Sequence, residues 1–273
     1  MYFQHLKNRR LLSLSGEDAE TFLDNLVTCN VLALDKGDST FGALLTPQGK
    51  ILFDFFLSRT SDEYIVDADS ELADELAKRL TFYRLRAKVD IQPVDDTLQV
   101  FACWGEKPDK GYKDIRHAQA GWRVYSSVTP DGEVSDYIFH CIQLGIPNGG
   151  ADFSYGDAYP HEVLMDQFGG IDFKKGCYVG QEVVSRMQHR GTAKKRIIHI
   201  KGDAPLPPTG TAILGDGKPA GTIGSISGNQ GLALLRLDRT AKADALEADG
   251  ISLKASIQNW VNFNWPKADN GEE

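Results

Sequence analysis

Apolar positions in the first 145 residues follow two periods, one typical of helices and one typical of strands. Residues 19–26 have the three- and four-residue spacing of one helix face, and Ser15 can cap the free N–H groups before it. Similar stripes at 72–80 and 134–142 predict two more helices. Apolar and aromatic runs bounded by turn residues predict strands at 41–45, 51–58, 63–68, 89–94 and 98–103.

After Gly191 the chain changes to short apolar runs separated by frequent glycines. The runs lie at 197–200, 212–214, 222–226, 232–237 and 251–257. Several short strands with close turn signals are typical of a small β-barrel or sandwich. We therefore expect an α+β fold with a first domain at 1–193 and a C-terminal β-barrel domain at 194–273, in which the polar residues 267–273 are frayed.

Length and charge narrow the classes of protein to which the chain can belong. It has 273 residues, which favours two domains, and 30 basic against 38 acidic residues give a net charge of −8. An acidic chain is unlike a duplex-DNA binder, which usually carries a basic excess. No apolar run approaches the roughly 18 residues of a membrane span, and the first residues lack the apolar core of a signal peptide. We expect a cytoplasmic protein that binds no membrane, and direct nucleic-acid binding is not favoured.

The four cysteines predict one unusual thiol rather than a four-cysteine metal site. Cys29, Cys103, Cys141 and Cys177 are widely separated and form no C-x-x-C pair. This spacing argues against a zinc knuckle, a thioredoxin-type site and a self-contained cluster site. Three of them have apolar neighbours, so we expect them to be buried as small hydrophobic side chains. Cys177 has a different context.

Cys177 stands in the most unusual segment of the chain, which reads FKKGCYVGQE over 173–182. A helix that starts near Gly180 would place the thiol close to the positive end of the helix dipole. Lys174 and Lys175 add positive charge, so the thiolate is favoured over the thiol. The flanking glycines allow the backbone to approach a ligand closely. The alternative from the residues alone is a tight turn with a half-buried cysteine.

At these residues the chain resembles a known family. KGCYVGQE is similar to the signature of the YgfZ family of folate-binding proteins, in the superfamily of the glycine-cleavage aminomethyltransferase. Further similar motifs follow along nearly the whole chain: TPQGK at 46–50 with Asp54 after it, YRLRAKV at 83–89, GIP at 145–147, GGI at 169–171, Arg186 with HRG at 189–191, and LLR at 234–236. The segment QLGIP at 143–147 looks most like the branch that contains the mitochondrial iron–sulfur cluster assembly factor.

The resemblance implies a fold, a ligand and a set of site residues. Members of the family have an aminomethyltransferase-like folate-binding portion followed by a C-terminal β-barrel. They bind tetrahydrofolate in a central cavity and support the making or maintenance of iron–sulfur clusters, including those of enzymes that modify tRNA. Carried over to this chain, the resemblance implies Cys177 as the reactive residue. It implies these folate-binding residues: Asp54, Tyr83, Arg84, Arg86, Gln143, Lys175, Gly176, Tyr178, Gly180, Gln181, Glu182 and Arg186.

Three departures from the aminomethyltransferase pattern bear on the chemistry. In the aminomethyltransferases two adjacent acids follow the hairpin. Here these positions are Phe53 and Asp54, so one acid is absent. Gln143 stands where a glutamate pairs with the pterin in those enzymes, and its amide has no charge. A Thr-Asn-Asp motif reads TCN at 28–30. Because proton removal from the folate nitrogen needs a positioned base, these departures count against one-carbon transfer.

Several residues keep a second interpretation. Cys177 could be a nucleophile, a ligand of a transient cluster or a structural residue; a cluster normally has four ligands, so a partner would supply the others. Asp54 could face a cavity or, by strand alternation, face outward. Arg84 and Arg86 could contact the glutamate tail of a folate or lie on a solvated edge. Residues 174–196 carry seven positive charges and one negative, or +6, which could bind an anion or form a solvated rim.

We therefore expect a tetrahydrofolate-binding accessory protein of iron–sulfur cluster assembly or maintenance. Its expected partners are folate and iron–sulfur assembly proteins or client enzymes. A folate-dependent aminomethyl or one-carbon transferase is the alternative. An RNA-interacting modification factor is a third interpretation, supported only by the basic segment.

Overall fold

The structure is a computed structural model, and it describes residues 1–191 and 193–266. The predicted fraying of 267–273 lies outside the described residues. Contacts divide the chain into two compact units. The first unit comprises 1–137 and 168–185, and the second comprises 138–167 and the described residues from 186 onward. The domain boundary near residue 194 stays a prediction.

The chain contains five helices and sixteen strands within its described residues. Up to residue 137 they are β1 (Tyr2–His5), β2 (Arg9–Ser15), α1 (Ala19–Asp24), β3 (Ser39–Leu45), β4 (Ile51–Arg59), β5 (Tyr64–Asp69), α2 (Ala73–Arg84), β6 (Asp90–Pro93), β7 (Gln99–Trp104), β8 (Tyr112–Lys113), β9 (Trp122–Ser126) and β10 (Glu133–Val134). The later elements are α3 (Tyr137–Leu144), α4 (Gln181–Arg190), β11 (Lys195–Gly202), β12 (Ala212–Gly215), β13 (Lys218–Ser227), β14 (Gln230–Arg236), α5 (Leu237–Thr240), β15 (Leu246–Ala248) and β16 (Ile251–Ser256). This mixture of helix and sheet confirms the predicted α+β class.

Two five-stranded sheets form most of the first unit. One has the strand order β3-β4-β5-β2-β6 and the other β10-β1-β7-β9-β8. β3 and β4 form the antiparallel hairpin that the sequence predicts, joined by a tight turn in which the amide of Gly49 donates to the carbonyl of Thr46 (2.8 Å). Alternation along β4 sends Phe53 and Phe55 into an apolar core that also contains side chains of α1 and α2.

The other face of β4 meets a layer of buried charge between the two sheets. Asp67 on β5 accepts a hydrogen bond from Nε of Arg9 (2.6 Å), and the guanidinium of Arg123 on β9 lies 4.4 Å from the centroid of the Phe56 ring. Buried charges of opposite sign lie close together because an unpaired charge is costly to remove from water. Asp54 lies on the same face of β4 as Phe56, two residues away.

A closed barrel with the order β11-β14-β13-β12-β15-β16 forms most of the second unit. Every neighbouring pair of its strands is antiparallel. Its apolar interior includes Ile198, Ile213, Ala233 and Leu253. Closure leaves no unpaired strand edge. The barrel confirms the prediction made from the short apolar runs after Gly191.

The first helix starts later than its predicted cap. α1 begins at Ala19, and the residue at its cap position is Asp18, which makes no side-chain cap hydrogen bond. Ser15 instead ends β2 and pairs with Asp90 in the sheet, so sheet pairing outweighs its capping preference. No helix within the described ranges is both long and apolar enough to cross a bilayer.

Candidate functional site

Residues 170–180, called the thiol loop from here on, carry Cys177 and lead into α4. The loop contains neither helix nor strand, and α4 begins at Gln181. The helix start predicted near Gly180 is therefore confirmed. Within the first unit, the loop lies against the segment that follows α1 and against the turn between β3 and β4.

Asp172 ties the start of the thiol loop to the segment after α1. Its Oδ1 accepts hydrogen bonds from the amides of Lys174 (2.6 Å) and Lys175 (3.1 Å), and its Oδ2 accepts one from Nδ2 of Asn30 (2.7 Å). The amide of Asp172 donates to the carbonyl of Thr28 (2.9 Å). Burial alone would raise the pKa of Asp172, but these hydrogen bonds and the charge of Lys175 outweigh it and lower that pKa. The loop therefore binds the carboxylate form.

Thr28 joins the thiol loop to the first sheet. Its hydroxyl donates to the carbonyl of Gly170 (2.6 Å) and accepts a hydrogen bond from the amide of Ala43 in β3 (2.9 Å). The side chain is buried. A hydroxyl that both donates and accepts satisfies its own polar groups while it links two backbone segments.

Lys175 turns inward, and its ammonium binds protein oxygens. Nζ donates to the carbonyls of Asp24 (2.6 Å), Val27 (3.0 Å) and Cys29 (2.7 Å), and lies 3.0 Å from Oδ1 of Asp24. The side chain is only 2% exposed. A buried ammonium needs such compensation for its lost hydration. The geometry makes Lys175 a positioning residue for the loop, and its role as a folate contact stays a prediction.

Cys177 is exposed, and the other three cysteines are buried, as the sequence predicts. Burial raises the pKa of the Cys29 thiol to about 12, although the charge of Lys175 opposes this effect. Burial also raises the pKa of Cys103 to about 11. Such thiols stay protonated near neutral pH and react slowly. All four cysteines lie within the described residues, and among them Cys177 is the one accessible thiol.

Tyr178 and Gln181 hold the backbone on either side of the exposed thiol. Tyr178 is buried, and burial, with a smaller effect from a nearby carboxylate, raises the pKa of its phenol, which stays neutral. The ammonium of Lys175 lies 5.7 Å from the centroid of the Tyr178 ring, within cation–π range. Nε2 of Gln181 donates to the carbonyl of Gly176 (3.4 Å). The tip of the loop is thus supported from the protein side.

Gly180 has a steric reason to be glycine. Its φ is +82°, a conformation that residues with a Cβ rarely adopt. A Cβ there would come within 2.5 Å of the carbonyl oxygen of Thr46 and 3.0 Å of Cα of Gly49. The end of the thiol loop and the β3–β4 turn therefore touch backbone to backbone. This contact explains why the motifs at 46–50 and 173–182 belong to one site.

Apolar side chains are exposed close to the hydrogen bond that joins Asn30 to Asp172 of the thiol loop. Leu32 is 59% exposed and Phe173 is 38% exposed. Each lies within two residues of the hydrogen bond between Asn30 and Asp172. Clustered apolar exposure of this kind is typical of surfaces that another molecule covers.

The hairpin pair at 53–54 is split between two environments. Phe53 is buried in the apolar core, whereas Asp54 is buried on the opposite face of β4, across from Ala43 of β3. The outward-facing alternative for Asp54 is therefore wrong. An acid in place of Phe53 would be surrounded by apolar side chains and would be costly to ionise.

The end of α2 places three predicted folate contacts in different environments. Tyr83 packs against the apolar core. Nη1 of Arg84 donates to the carbonyl of Val89 (3.1 Å). Arg86 is exposed. The solvated-edge interpretation thus describes the surroundings of Arg86 but not those of Arg84.

The remaining predicted residues lie elsewhere. Gln143 is on α3 in the second unit, where its Nε2 donates to Oε1 of Gln230 (2.9 Å). Glu182 and Arg186 are exposed on α4. One group of predicted residues does lie together, in the thiol loop and at its junction with α4: Lys175, Gly176, Cys177, Tyr178, Gly180 and Gln181. The predicted folate contacts of this and the other groups stay predictions.

The basic segment 174–196 exposes less positive charge than its sequence indicates. Lys175 is buried in the thiol loop, and Arg196 is buried with its Nη1 2.6 Å from Oδ1 of Asp166. Without these two cations, five positive charges and one negative remain, or +4 instead of +6. Support for an RNA-binding surface is correspondingly weaker.

Sequence reasoning did not find the residues that tether the thiol loop: Asp24, Thr28, Asn30 and Asp172. In the sequence, residues 28–30 read TCN and lack the acid of the Thr-Asn-Asp motif of related proteins. In the structure Asn30 binds Asp172, so the loop itself supplies a carboxylate to this motif. Within 1–191 and 193–266, no group of three or more His, Cys, Asp or Glu side chains is placed to hold a metal ion.

Two family models match the chain. The model described as "GCVT N-terminal domain" matches residues 6–116, and the model described as "CAF17, C-terminal beta-barrel domain" matches residues 194–263. The fold is similar to the crystal structure of glycine cleavage system aminomethyltransferase T from Bartonella henselae, with a TM-score of 0.77 over 95% of this chain and 86% of that chain. The identity is 14%, so this likeness shows the fold alone. It confirms the aminomethyltransferase-like fold with a C-terminal barrel.

Curated relatives are named iron–sulfur cluster assembly factor IBA57 or its homolog, mitochondrial. The relative from Coccidioides immitis is 31% identical, with 85% of this chain and 71% of the relative aligned. The human relative is 29% identical over 96% of this chain and 84% of its own length. The relative from Pyricularia oryzae is 34% identical over 72% of this chain, which spans about half (56%) of that protein.

These relatives also correct one prediction. The cytoplasmic location expected from the sequence is contradicted, because the relatives from all three organisms are mitochondrial proteins. The Coccidioides protein is matched above 30% identity over most of both chains, and the chain accordingly belongs to the IBA57 family of iron–sulfur cluster assembly factors.

Proposed function

We propose that this protein assists the assembly or maintenance of iron–sulfur clusters by presenting Cys177 as one ligand of a cluster that a partner protein shares. The observation that carries the proposal is the position of this thiol. Cys177 is exposed, and its loop is held by the buried Lys175 and by Asp172. A rigid, accessible cysteine is a suitable ligand for iron, which it binds through its sulfur after loss of the thiol proton.

A partner is required because one thiol cannot hold a cluster. Iron–sulfur clusters normally have four protein ligands, and the other three cysteines are buried. The exposed apolar side chains of Leu32 and Phe173 fit a protein surface better than a small polar ligand. The partners would be assembly proteins or client enzymes, including cluster enzymes that modify tRNA.

We also propose that the protein binds tetrahydrofolate. The donor set fits a reduced pterin at one point, since Asp54 is a nearly buried carboxylate on β4. A carboxylate accepts the paired N–H groups that an aminopyrimidine ring offers. Arg86 is exposed and would attract the carboxylates of the glutamate tail. When bound, tetrahydrofolate can carry one-carbon units.

One-carbon transfer is the second candidate function, and the structure disfavours it at one position. Phe53 replaces one of the two acids and is part of the apolar core, so no base can act from that side chain. Purified protein is expected to form no methylenetetrahydrofolate from an aminomethyl-lipoyl donor. Robust product formation would favour the transferase over the assembly function.

Replacement of Cys177 tests the assembly function directly. In a host that lacks the gene, Cys177→Ala is expected to fold and to leave aconitase and other [4Fe–4S] enzymes inactive. Lys174→Ala, at an exposed neighbouring position, serves as the matched control and should restore activity. Full restoration by Cys177→Ala would contradict a ligand role for this thiol.

Ligand binding to the purified protein tests the folate proposal. Calorimetry should show heat on addition of tetrahydrofolate, with weaker binding of folic acid. The melting temperature should rise, since a ligand that binds only the folded state stabilises it. Asp54→Asn should weaken binding. No heat and no thermal shift at saturating tetrahydrofolate would exclude binding.

A further inference from the structure

Leu85 adopts a backbone conformation that normally requires glycine. It follows the last residue of α2 and has φ +47° and ψ −103°. The amide of Ala87 donates to the carbonyl of Arg84 (2.8 Å), which closes a four-residue turn with Leu85 at its second position. These angles are those of a type II′ turn, in which glycine strongly prevails at that position. A residue with a Cβ is strained there.

Packing within the chain does not compensate for this strain. The Leu85 side chain is 86% exposed, and Phe82, one turn earlier on α2, is 73% exposed. Tyr83 beside them packs against the core, so the segment as a whole is anchored while its two apolar side chains project. Strained residues cluster at functional sites, and exposed apolar side chains mark contact surfaces.

The segment that carries these side chains contains charged residues of one sign only. Residues 78–88 read KRLTFYRLRAK and contain five positive and no negative residues, or +5. The rest of the chain therefore carries −8 − 5 = −13. Lys88 pairs with Glu17, and Arg84 binds the Val89 carbonyl. Lys78, Arg79 and Arg86 provide the other positive charges of the segment.

We infer that the projection formed by Phe82, Leu85 and Arg86, named the Leu85 knob, docks an acidic iron–sulfur protein whose surface offers an apolar pocket. A pre-formed branched side chain ringed by cations is complementary to an apolar pocket with an acidic rim. The rigid turn lowers the entropy lost on docking. The inference rests on the assembly function proposed above and assigns a surface for its partner.

The variant Leu85→Gly has opposite expected effects on stability, through loss of the strain, and on activity, through loss of the docking side chain. Leu85→Gly should raise the melting temperature by about 1–4 °C, because glycine relieves the strained φ and its flexibility in the unfolded state offsets part of that gain. The same variant should lower [4Fe–4S] enzyme activity in the gene-deleted host towards that of the empty host. Asp249→Gly is the matched control, since Asp249 has φ +49° in the barrel. It should not lower enzyme activity.

Photo-cross-linking identifies the occupant. With p-benzoylphenylalanine in place of Phe82, the protein should form an adduct with an acidic iron–sulfur protein in the host. Leu85→Gly or Arg86→Glu should reduce that adduct about tenfold, and Asp249→Gly should not. An adduct with a second copy of this chain or with nucleic acid would overturn the inference. So would binding to phosphatidylglycerol vesicles that Leu85→Gly abolishes.

Cys177→Ala distinguishes this inference from the function on which it rests. If Cys177→Ala removes enzyme activity and leaves the adduct unchanged, both docking and assembly stand. If Cys177→Ala retains full activity, the proposed function fails. If Cys177→Ala removes activity but Leu85→Gly and Arg86→Glu retain both activity and adduct, only the docking inference fails.

Discussion

Two exposed segments of the first unit, the thiol loop and the turn at 84–87, are held in place by different means. In the thiol loop, polar contacts beneath Cys177 fix the backbone. The ammonium of Lys175 alone binds three carbonyls and the carboxylate of Asp24. The turn at 84–87 has one backbone hydrogen bond across it and a strained residue at its second position.

The difference shows how each segment should respond to change. Buried polar contacts are costly to break, because each partner left behind is an unpaired group in a poor solvent. A strained turn should instead gain stability when the strain is removed. Cys177 is thus held in place by buried polar contacts beneath its loop. Leu85 is held in place by the backbone geometry of its turn. The following variants break or sharpen this contrast.

The largest effect is expected for Lys175→Met. Methionine is similar in length but has no charge, so the Asp24 carboxylate and three carbonyls would lose their common donor. Breaking a buried ion pair by removing one partner costs about 3–5 kcal/mol. Urea unfolding of both proteins measures the loss. Lys174→Met, at the exposed neighbouring position, should change stability by less than about 0.5 kcal/mol; equal effects of the two variants would contradict the contrast.

A somewhat smaller loss is expected for Gly180→Ala. The new Cβ would meet the Thr46 carbonyl at 2.5 Å and adopt a φ of +82°, so the expected cost is about 2–3 kcal/mol. Gly176→Ala is the control, because nothing lies within 4 Å of its Cβ position. It should change stability by less than about 1 kcal/mol. Thermal unfolding of each variant measures the loss. Similar melting temperatures of Gly180→Ala and Gly176→Ala would argue against the backbone contact.

Cys177→Ala should have a still smaller effect on stability, within roughly 1 kcal/mol, because removing an exposed sulfur leaves no cavity. In native protein Cys177 should react with iodoacetamide much faster than Cys29, whose pKa burial raises to about 12. Mass spectrometry of partly alkylated protein measures both rates. A Cys177 that reacts no faster than the buried thiols would show that the loop does not expose it.

The smallest effect is expected for Asp172→Asn, and it depends on pH. The pKa of Asp172 is lowered below its usual 3.8, so the folded state favours the carboxylate. This contribution to stability is complete above the unfolded pKa and is lost as the pH falls through the lowered folded pKa. Wild type should therefore lose stability below about pH 4 more steeply than Asp172→Asn. Parallel acid limbs in unfolding measurements between pH 2 and 5 would exclude this contribution.

Local pattern predicted the site segment and many of the elements, but it missed β1, β2 and β9, and Val134 of the predicted third helix lies in β10. The hairpin of β3 and β4, the start of α4 and the barrel follow from periodicity and turn residues, which act over a few neighbouring positions. The exposure of Cys177 and the burial of the other cysteines also follow from their neighbours. Resemblance to a family added the aminomethyltransferase-like fold, which spacing alone does not indicate.

Tertiary structure decided which polar side chains are internal. The sequence marks Lys175 as one of several cations beside Cys177, but it is buried because Asp24 and three carbonyls, roughly 150 positions earlier, converge on it. Asp54 is buried on the face of β4 where the Phe56 ring packs against Arg123 of the second sheet. The strain at Leu85 is likewise a property of the folded backbone. Each depends on contacts distant in sequence, whereas periodicity and capping report only on neighbours.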